Sequence, residues 1–409
     1  MSEPLDVLPL GDLLAGRGVV ACLGAGGVGK TTLAAAMAVG LAVAGRRVLC
    51  LTIDPARRLA DSLGLPRDVS DTVPIPAERL TDVGLAPRGT LHVAQLDATR
   101  TLAAVVRRRA PDREAAERIL ENRLFRYLSG SLPGVQEVMA LERLFAARAD
   151  PRFDLVVLDT PPTANALDFL DAPRRLITAL DSPFAAWLTD DPQVGPGARA
   201  GGRGARLVLR LLARLTGPGL LEEMATLLQE ARRLLPGFRA RAEEIDAALR
   251  SSEVAFILVT SSQPQAIDEA IFVNERLAAL RPGGDAFVVN RVRVRLARGD
   301  AADAPDDPRV PEDLAQRLRE TLMEHERLAA EDDAEIRRLM RRCGPSHGYF
   351  RVPAFATDVR DLRAVAEVAR VLFAPSAAVP ASFAVLRPGR EVLTGGGEGS
   401  RVLPGRTSK

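Results

Sequence analysis

Nine residues near the start of the chain, Gly24-Ala25-Gly26-Gly27-Val28-Gly29-Lys30-Thr31-Thr32, have the composition and spacing of a phosphate cradle. The glycines around Val28 let backbone N–H groups turn toward an anion. Lys30 is one of two lysines in 409 residues; elsewhere the chain uses arginine as its basic residue. The chemistry explains the exception. A planar guanidinium forks onto its ligand, whereas a compact ammonium points into the narrow space between the β- and γ-phosphates. The Thr31 hydroxyl is placed to ligate Mg²⁺, and the following helix would add the partial positive charge of its N-terminus.

Two aspartates extend this chemistry. Asp54 lies in Thr52-Ile53-Asp54-Pro55-Ala56-Arg57-Arg58, and Asp159 in Leu155-Val156-Val157-Leu158-Asp159-Thr160-Pro161-Pro162-Thr163. Each directly follows an apolar run that reads as a strand. In a sheet that already carries a phosphate loop, such aspartates belong near the metal. Asp159 would hold it, through water, while Asp54 would orient or deprotonate the water attacking the γ-phosphate and also sit at the metal. Taken singly, each reads better as a helix cap or a turn residue; together with Lys30 the metal-site reading prevails.

The elements that position these groups follow from the pattern of apolar runs. Residues 19–23 read as a buried strand and the Ala-rich run from Thr31 to Ala44 as a helix. Strand, glycine loop and helix is the order the motif requires. Further apolar runs at 48–52, 91–96, 153–158, 254–260, 286–289 and 349–352 alternate with helical patterns. Strands spaced by helices predict a doubly wound, mostly parallel α/β sheet, with its ligand crevice at the carboxyl ends of the strands. Strand signals vanish over 172–250, which reads as an inserted helical subdomain. The expected organisation is therefore 1–171 and 251–373 as the two parts of one phosphate-loop domain, 172–250 as the insert, and 374–409 as a mostly disordered tail. A Gly/Pro/Arg-rich stretch at 190–202 inside the insert reads as a mobile loop.

Composition narrows the function classes. The net charge is +2 and aromatic residues make up 4%, so neither a basic surfeit nor a stacking surface marks a nucleic-acid binder. Cys22, Cys50 and Cys343 are far apart in sequence, which gives neither a disulfide framework nor a Cys-x-x-Cys zinc site. The first residues lack a secretory pattern, and the longest apolar run, 33–45, is too short to span a bilayer. A cytoplasmic protein is expected. His92, His325 and His347 have no ligand-like spacing and read as structural or solvated. The charged segment 311–342, with leucines at helical intervals, reads as an exposed helix or helix pair.

In order and with sensible spacing, the region from Gly18 to Leu372 resembles the ArsA-type anion-transporting ATPases and the related ATPases that target tail-anchored membrane proteins. The carriers are residues 24–32 as a deviant phosphate loop, Asp54-Pro55-Ala56 as switch I, Pro133-Gly134 with Glu137, and Asp159-Thr160-Pro161-Pro162-Thr163 as switch II. Within that family the chain is most similar to single-copy bacterial proteins. The resemblance implies an Mg-dependent ATPase closing as a nucleotide-sandwiched dimer of two chains. It also implies that Asn290, in Val288-Val289-Asn290-Arg291, reads adenine, and that Pro353, ahead of Asp358-Val359-Arg360, borders the base. On the residues alone, Asn290 reads equally as a strand-end cap.

The chain departs from the family pattern in three places. Ala25 stands where a second lysine normally reaches the partner subunit's phosphates, and transition-state charges of that kind are worth orders of magnitude in rate. Arg57 or Arg58 would have to substitute, or a paralogous partner supply the lysine, or a slow ATPase simply tolerate the loss. Asn165 replaces a histidine and cannot titrate. The cysteines of a metalloid-activated pump or a zinc-stapled dimer are absent, which disfavours both behaviours.

The insert is the expected effector-facing part. Arg203, Arg206, Arg210 and Arg214 recur at helical spacing beside leucines, which suits an anionic membrane surface, a membrane-protein or client partner, or a helix packed inward with a solvated arginine face. The expected function is a slow dimeric switch ATPase using ATP and Mg²⁺. One alternative is an ATP-binding regulatory or scaffold subunit beside a lysine-bearing paralogue. Another is a partition or positioning ATPase, against which the modest charge and missing terminal amphipathic anchor weigh.

Overall fold

The computed structural model describes residues 10–53, 58–64, 72–123, 125–126, 135–160, 163–181, 218–280, 285–295 and 311–374. Asp54, Arg57, Pro133-Gly134, Pro161-Pro162, the Gly/Pro/Arg-rich stretch 190–202, the arginine-rich segment 203–215 and residues from 375 onward lie outside the described residues. So do the side chains of Arg58 and Asn165.

Eight described strands form one sheet: β1 (Val19–Leu23), β2 (Arg47–Thr52), β3 (Val73–Ile75), β4 (Thr90–Gln95), β5 (Leu155–Asp159), β6 (Val254–Ser261), β7 (Ala286–Val292) and β8 (Gly348–Pro353). Their spatial order is β3-β4-β2-β5-β1-β6-β7-β8. Every pairing is parallel except that of β3 with β4. The sheet is therefore the doubly wound, mostly parallel α/β form of the phosphate-loop nucleotide-binding fold. β3 is three residues long with Pro74 at its centre, a residue tolerated here because the strand is at an edge. Its brevity and its proline hide it from a reading of apolar runs.

Between the strands run α1 (Leu10–Leu13), α2 (Lys30–Val43), α3 (Arg58–Ser62), α4 (Ala77–Asp82), α5 (Ala98–Arg109), α6 (Arg113–Glu121) and α7 (Val135–Arg148). They are followed by α8 (Thr163–Leu180), α9 (Pro218–Arg250), α10 (Pro264–Leu280), α11 (Glu312–Cys343) and α12 (Leu362–Phe373). The central strands are buried along their length, as strands covered on both faces must be. Alternate residues feed two cores. Val20, Cys22, Val48, Cys50, Val157 and Ile257 face α2 and α12. On the opposite face, Leu23, Leu51, Val156, Leu158, Phe256 and Phe287 meet α7, α10 and the C-terminal part of α11. α2 is apolar all round because it lies between the sheet and α12, with Leu33 to Ala42 buried.

A third, smaller core joins Leu102, Val105, Val106, Ala116, Ile119 and Met139 to Leu234 of α9. Helices 98–121 thus pack with the segment that the sequence marks as helical at 172–250. The carboxylate of Glu142 is buried beneath this core and accepts from Arg241 at 2.6 Å. Asp97, Asp112 and Asp361 cap α5, α6 and α12 through their side-chain oxygens. The charged segment from 312 forms one helix, whose leading half exposes Leu314, Leu318 and Met323.

Candidate nucleotide site

β1 ends where the glycine loop begins, at the centre of the sheet, between β5 and β6. Two positions show why glycine is required. Gly24 has φ +155°, and a Cβ there would lie 2.0 Å from the carbonyl oxygen of Val259 on β6. Gly29 has φ +96°, and a Cβ there would lie 2.3 Å from Nδ2 of Asn290. The loop is pressed against the neighbouring strands, and its carbonyl at Gly29 starts α2 by accepting from Leu33 N at 3.0 Å. Lys30 heads that helix, is 7% exposed, and donates from Nζ to the carbonyl of Ala25 at 2.7 Å. Its ammonium is thus folded back over the loop that it serves.

On the adjacent strand end, Asp159 is fully buried and its Oδ2 accepts from the Thr52 hydroxyl at 3.0 Å. The next residue, Thr160, donates to the carbonyl of Cys22 at 2.6 Å. These two hydroxyl bonds tie the carboxyl ends of β2, β5 and β1 together. Burial first, then Asp159 and Cys50, push the Cys22 thiol well above its ordinary range. Burial and then Asp159 do the same to Cys50. Both cysteines are therefore held as neutral thiols, inert core residues and not nucleophiles.

Two adjoining clefts open over the loop. One, of about 490 Å³, is lined by Gly27, Gly29, Lys30, Thr31, Thr32, Asp61, Ser62, Thr160, Arg291, Val359 and Arg360. The other, of about 530 Å³, runs from Gly29 and Thr32 past Asn290 and Arg291 to Pro353, Phe355, Asp358 and Val359. They share Gly29, Thr32, Arg291, Val359 and Arg360. Together they give room for a ligand with an anionic end over Lys30 and a flat end beside Pro353, within the size range of small-molecule sites. Asn290 is 7% exposed; its Nδ2 donates to the carbonyl of Val28 at 2.9 Å and its Oδ1 accepts from Arg291 N at 3.0 Å. One amide hydrogen and one lone pair remain beyond those two bonds.

The structure brings together Gly27, Gly29, Lys30, Thr31, Thr32, Asn290 and Pro353 around the two clefts, with Asp159 at the adjoining strand end. Gly26 and Val28 belong to the same loop. Asp61, Ser62 and Arg291 also line the clefts, and sequence reasoning did not select them as site residues. Asp61 and Ser62 follow switch I by only a few residues; that proximity was the available signal. Among the described residues no three His, Cys, Asp or Glu side chains gather as a self-contained metal site. The donor set nonetheless fits Mg²⁺, which takes one or two carboxylates plus ligand phosphates and retains waters.

Residues 18–185 match the family model described as anion-transporting ATPase. This region is similar to that ATPase family. The matched segment contains the phosphate loop, Asp54 and Asp159. A curated relative, ATPase get3 of Aspergillus terreus, is 28% identical over 200 residues, which are 47% of this chain and 54% of that protein. The chain thus spans about half the length of the curated relative that it matches. Asn290, Arg291 and Pro353 lie beyond the anion-transporting ATPase match, so their place at the site comes from the sheet topology that brings β7 and β8 to the loop. No described helix is long and apolar enough to cross a membrane.

Proposed function

We propose that the chain is a Mg-dependent ATPase that binds ATP in the joined clefts, closes as a dimer around it, and couples slow hydrolysis to a client or transport partner. The observation that carries this reading is Lys30, a nearly buried ammonium at the head of α2, at the floor of a cleft continuous with a second one beside Asn290 and Pro353. In this reading Gly26, Gly27, Val28 and Gly29 present N–H groups to the phosphates and Lys30 exchanges the Ala25 carbonyl for a phosphate oxygen. Thr31 and Asp159, with Asp54, would hold Mg²⁺, which when bound would neutralise developing phosphate charge. Asp54 would orient or deprotonate the attacking water. Asn290 retains the hydrogen-bonding capacity to meet an adenine edge, and Pro353 would border the base.

The helices of the third core, with the segment 172–250, would form the effector-facing subdomain. Residues 1–171 and 251–373 would form the ATPase domain, and 374–409 a tail outside it. A cytoplasmic location and a partner that is a membrane protein or other client fit this design; nucleic acid does not. A second reading, an ATP-binding regulatory subunit paired with a lysine-bearing paralogue, is favoured by one observation. Ala25 is 8% exposed and packs in the core, so that position offers no cation to a partner.

Steady-state ATP hydrolysis measured against protein concentration, with Lys30→Ala as the control, tests the proposal. Turnover per subunit that rises with concentration and disappears in Lys30→Ala supports a self-sufficient dimer. No Lys30-dependent turnover at any concentration would refute autonomous hydrolysis and favour the paired-subunit reading.

A further inference from the structure

We infer that Arg291 is a further nucleotide-binding residue, its guanidinium contacting phosphate oxygens where the two clefts meet. This rests on the nucleotide reading of the site. Among the described residues Arg291 is the one non-glycine with positive φ, at +58°. A side chain in that conformation is held there by its surroundings, and such outliers concentrate where a ligand is gripped. The surroundings here are specific. The β7–β8 register breaks between Val289 and Val292, so the strand bulges at this point. Asn290 fixes the bulge from both ends of its amide, donating to the phosphate loop at Val28 and accepting the N–H of Arg291 itself.

The bend aims the side chain at the loop. Arg291 Nη1 reaches across 264 positions of sequence to the carbonyl of Gly27, at a long 3.4 Å. The residue is exposed, so no core packing accounts for its conformation. It lines both clefts, and a ligand with its phosphates over Lys30 and its base beside Pro353 must pass it. A guanidinium carries five N–H donors, and the contact to Gly27 occupies one of them weakly, leaving a fork suited to phosphate. Lys30 is the one cation within residues 24–32; Arg291 brings a second from β7, two strands along the sheet from β1.

ADP affinity of the full chain, measured by equilibrium dialysis at low and high salt, separates a phosphate contact from a mere brace on Gly27. Arg291→Gly keeps the positive φ without strain, so its thermal midpoint should equal or exceed that of the parent. Its ADP affinity at low salt should fall by about ten- to a hundredfold, the worth of a hydrogen bond to a charged group. The deficit should shrink at high salt, because an exposed contact is screened, and Arg291→Lys should recover part of it. An unchanged affinity in folded Arg291→Gly, or a loss equal at both salts, overturns the inference. Lys30→Ala serves as the reference. If it weakens ADP and Arg291→Gly does not, only Arg291 is misassigned; if the parent chain itself binds no ADP, the nucleotide reading falls and this inference with it.

Discussion

Gly29→Ala probes the junction between the phosphate loop and β7, and its cost can be worked from two local terms. With φ at +96°, an added Cβ strains the backbone by about 1–2 kcal/mol. The same Cβ would lie 2.3 Å from Asn290 Nδ2, so the amide must leave its 2.9 Å bond to Val28 O, a further loss of about 1 kcal/mol. The total is about 2–3 kcal/mol. Asn290→Ala loses the amide bond too, but not the strain, so it should cost about 1–2 kcal/mol. Because that bond is lost only once, the double variant should be about 1 kcal/mol more stable than the sum of the two single costs predicts. Urea unfolding followed by far-ultraviolet circular dichroism, with the slope checked for constancy across the four proteins, measures the cycle. Additivity within about 0.4 kcal/mol would show that Gly29 and Asn290 do not compete for the same space, and the described contact between loop and strand would be wrong.

Three further outcomes are expected. Thr52→Val keeps the shape of the side chain but removes a donor to the fully buried Asp159, and should lower unfolding stability by about 1–3 kcal/mol; no change would mean that the hydroxyl contributes nothing there. Arg241→Met strips the nearest cation from the buried Glu142 while leaving Arg108 at 3.5 Å, and should cost about 3 kcal/mol in chemical denaturation, with Glu142→Gln in the same background recovering part of it. Burial holds the His347 imidazole below its ordinary pKa of 6.5, against weaker opposing contributions from the Gly344 backbone, Asp285 and the Cys343 backbone. The unfolded chain therefore takes up a proton first as pH falls, and the stability associated with neutral His347, full above about 6.5, declines toward the folded value. His347→Gln should narrow the gap between thermal midpoints at pH 7.5 and 5.5, and an equal gap in both proteins would refute that account.

Much of the candidate site could be read in the sequence because its chemistry is local. Residues 24–32 carry the loop, and the runs ending at Thr52 and Leu158 announce the strand ends beside it. The sheet was legible for the same reason: strands buried on both faces are written as unbroken apolar runs. β3 escaped because three residues around a proline carry no such signal. The grouping of Leu102, Val106 and Ile119 with Leu234 was invisible, since a shared core between segments more than a hundred residues apart leaves no trace in either segment's periodicity. Arg291 was hidden differently. Its identity was plain, but its reach to Gly27 depends on a bulge and on a side-chain bond from Asn290, neither of which has a local pattern.

The scarcity of lysine, together with the way Lys30 is folded onto the Ala25 carbonyl, makes the chain its own chemical footprint. An acylating reagent that modifies ε-amines has two such targets in the whole sequence, Lys30 and Lys409. Lys30, at 7% exposure and hydrogen-bonded at 2.7 Å, should react slowly at rest and report, peptide by peptide in a mass spectrometer, each opening of the loop. Lys409 supplies an internal reference for reagent strength. Occupancy of the site could then be followed in unpurified mixtures, with no dye, radiolabel or engineered residue.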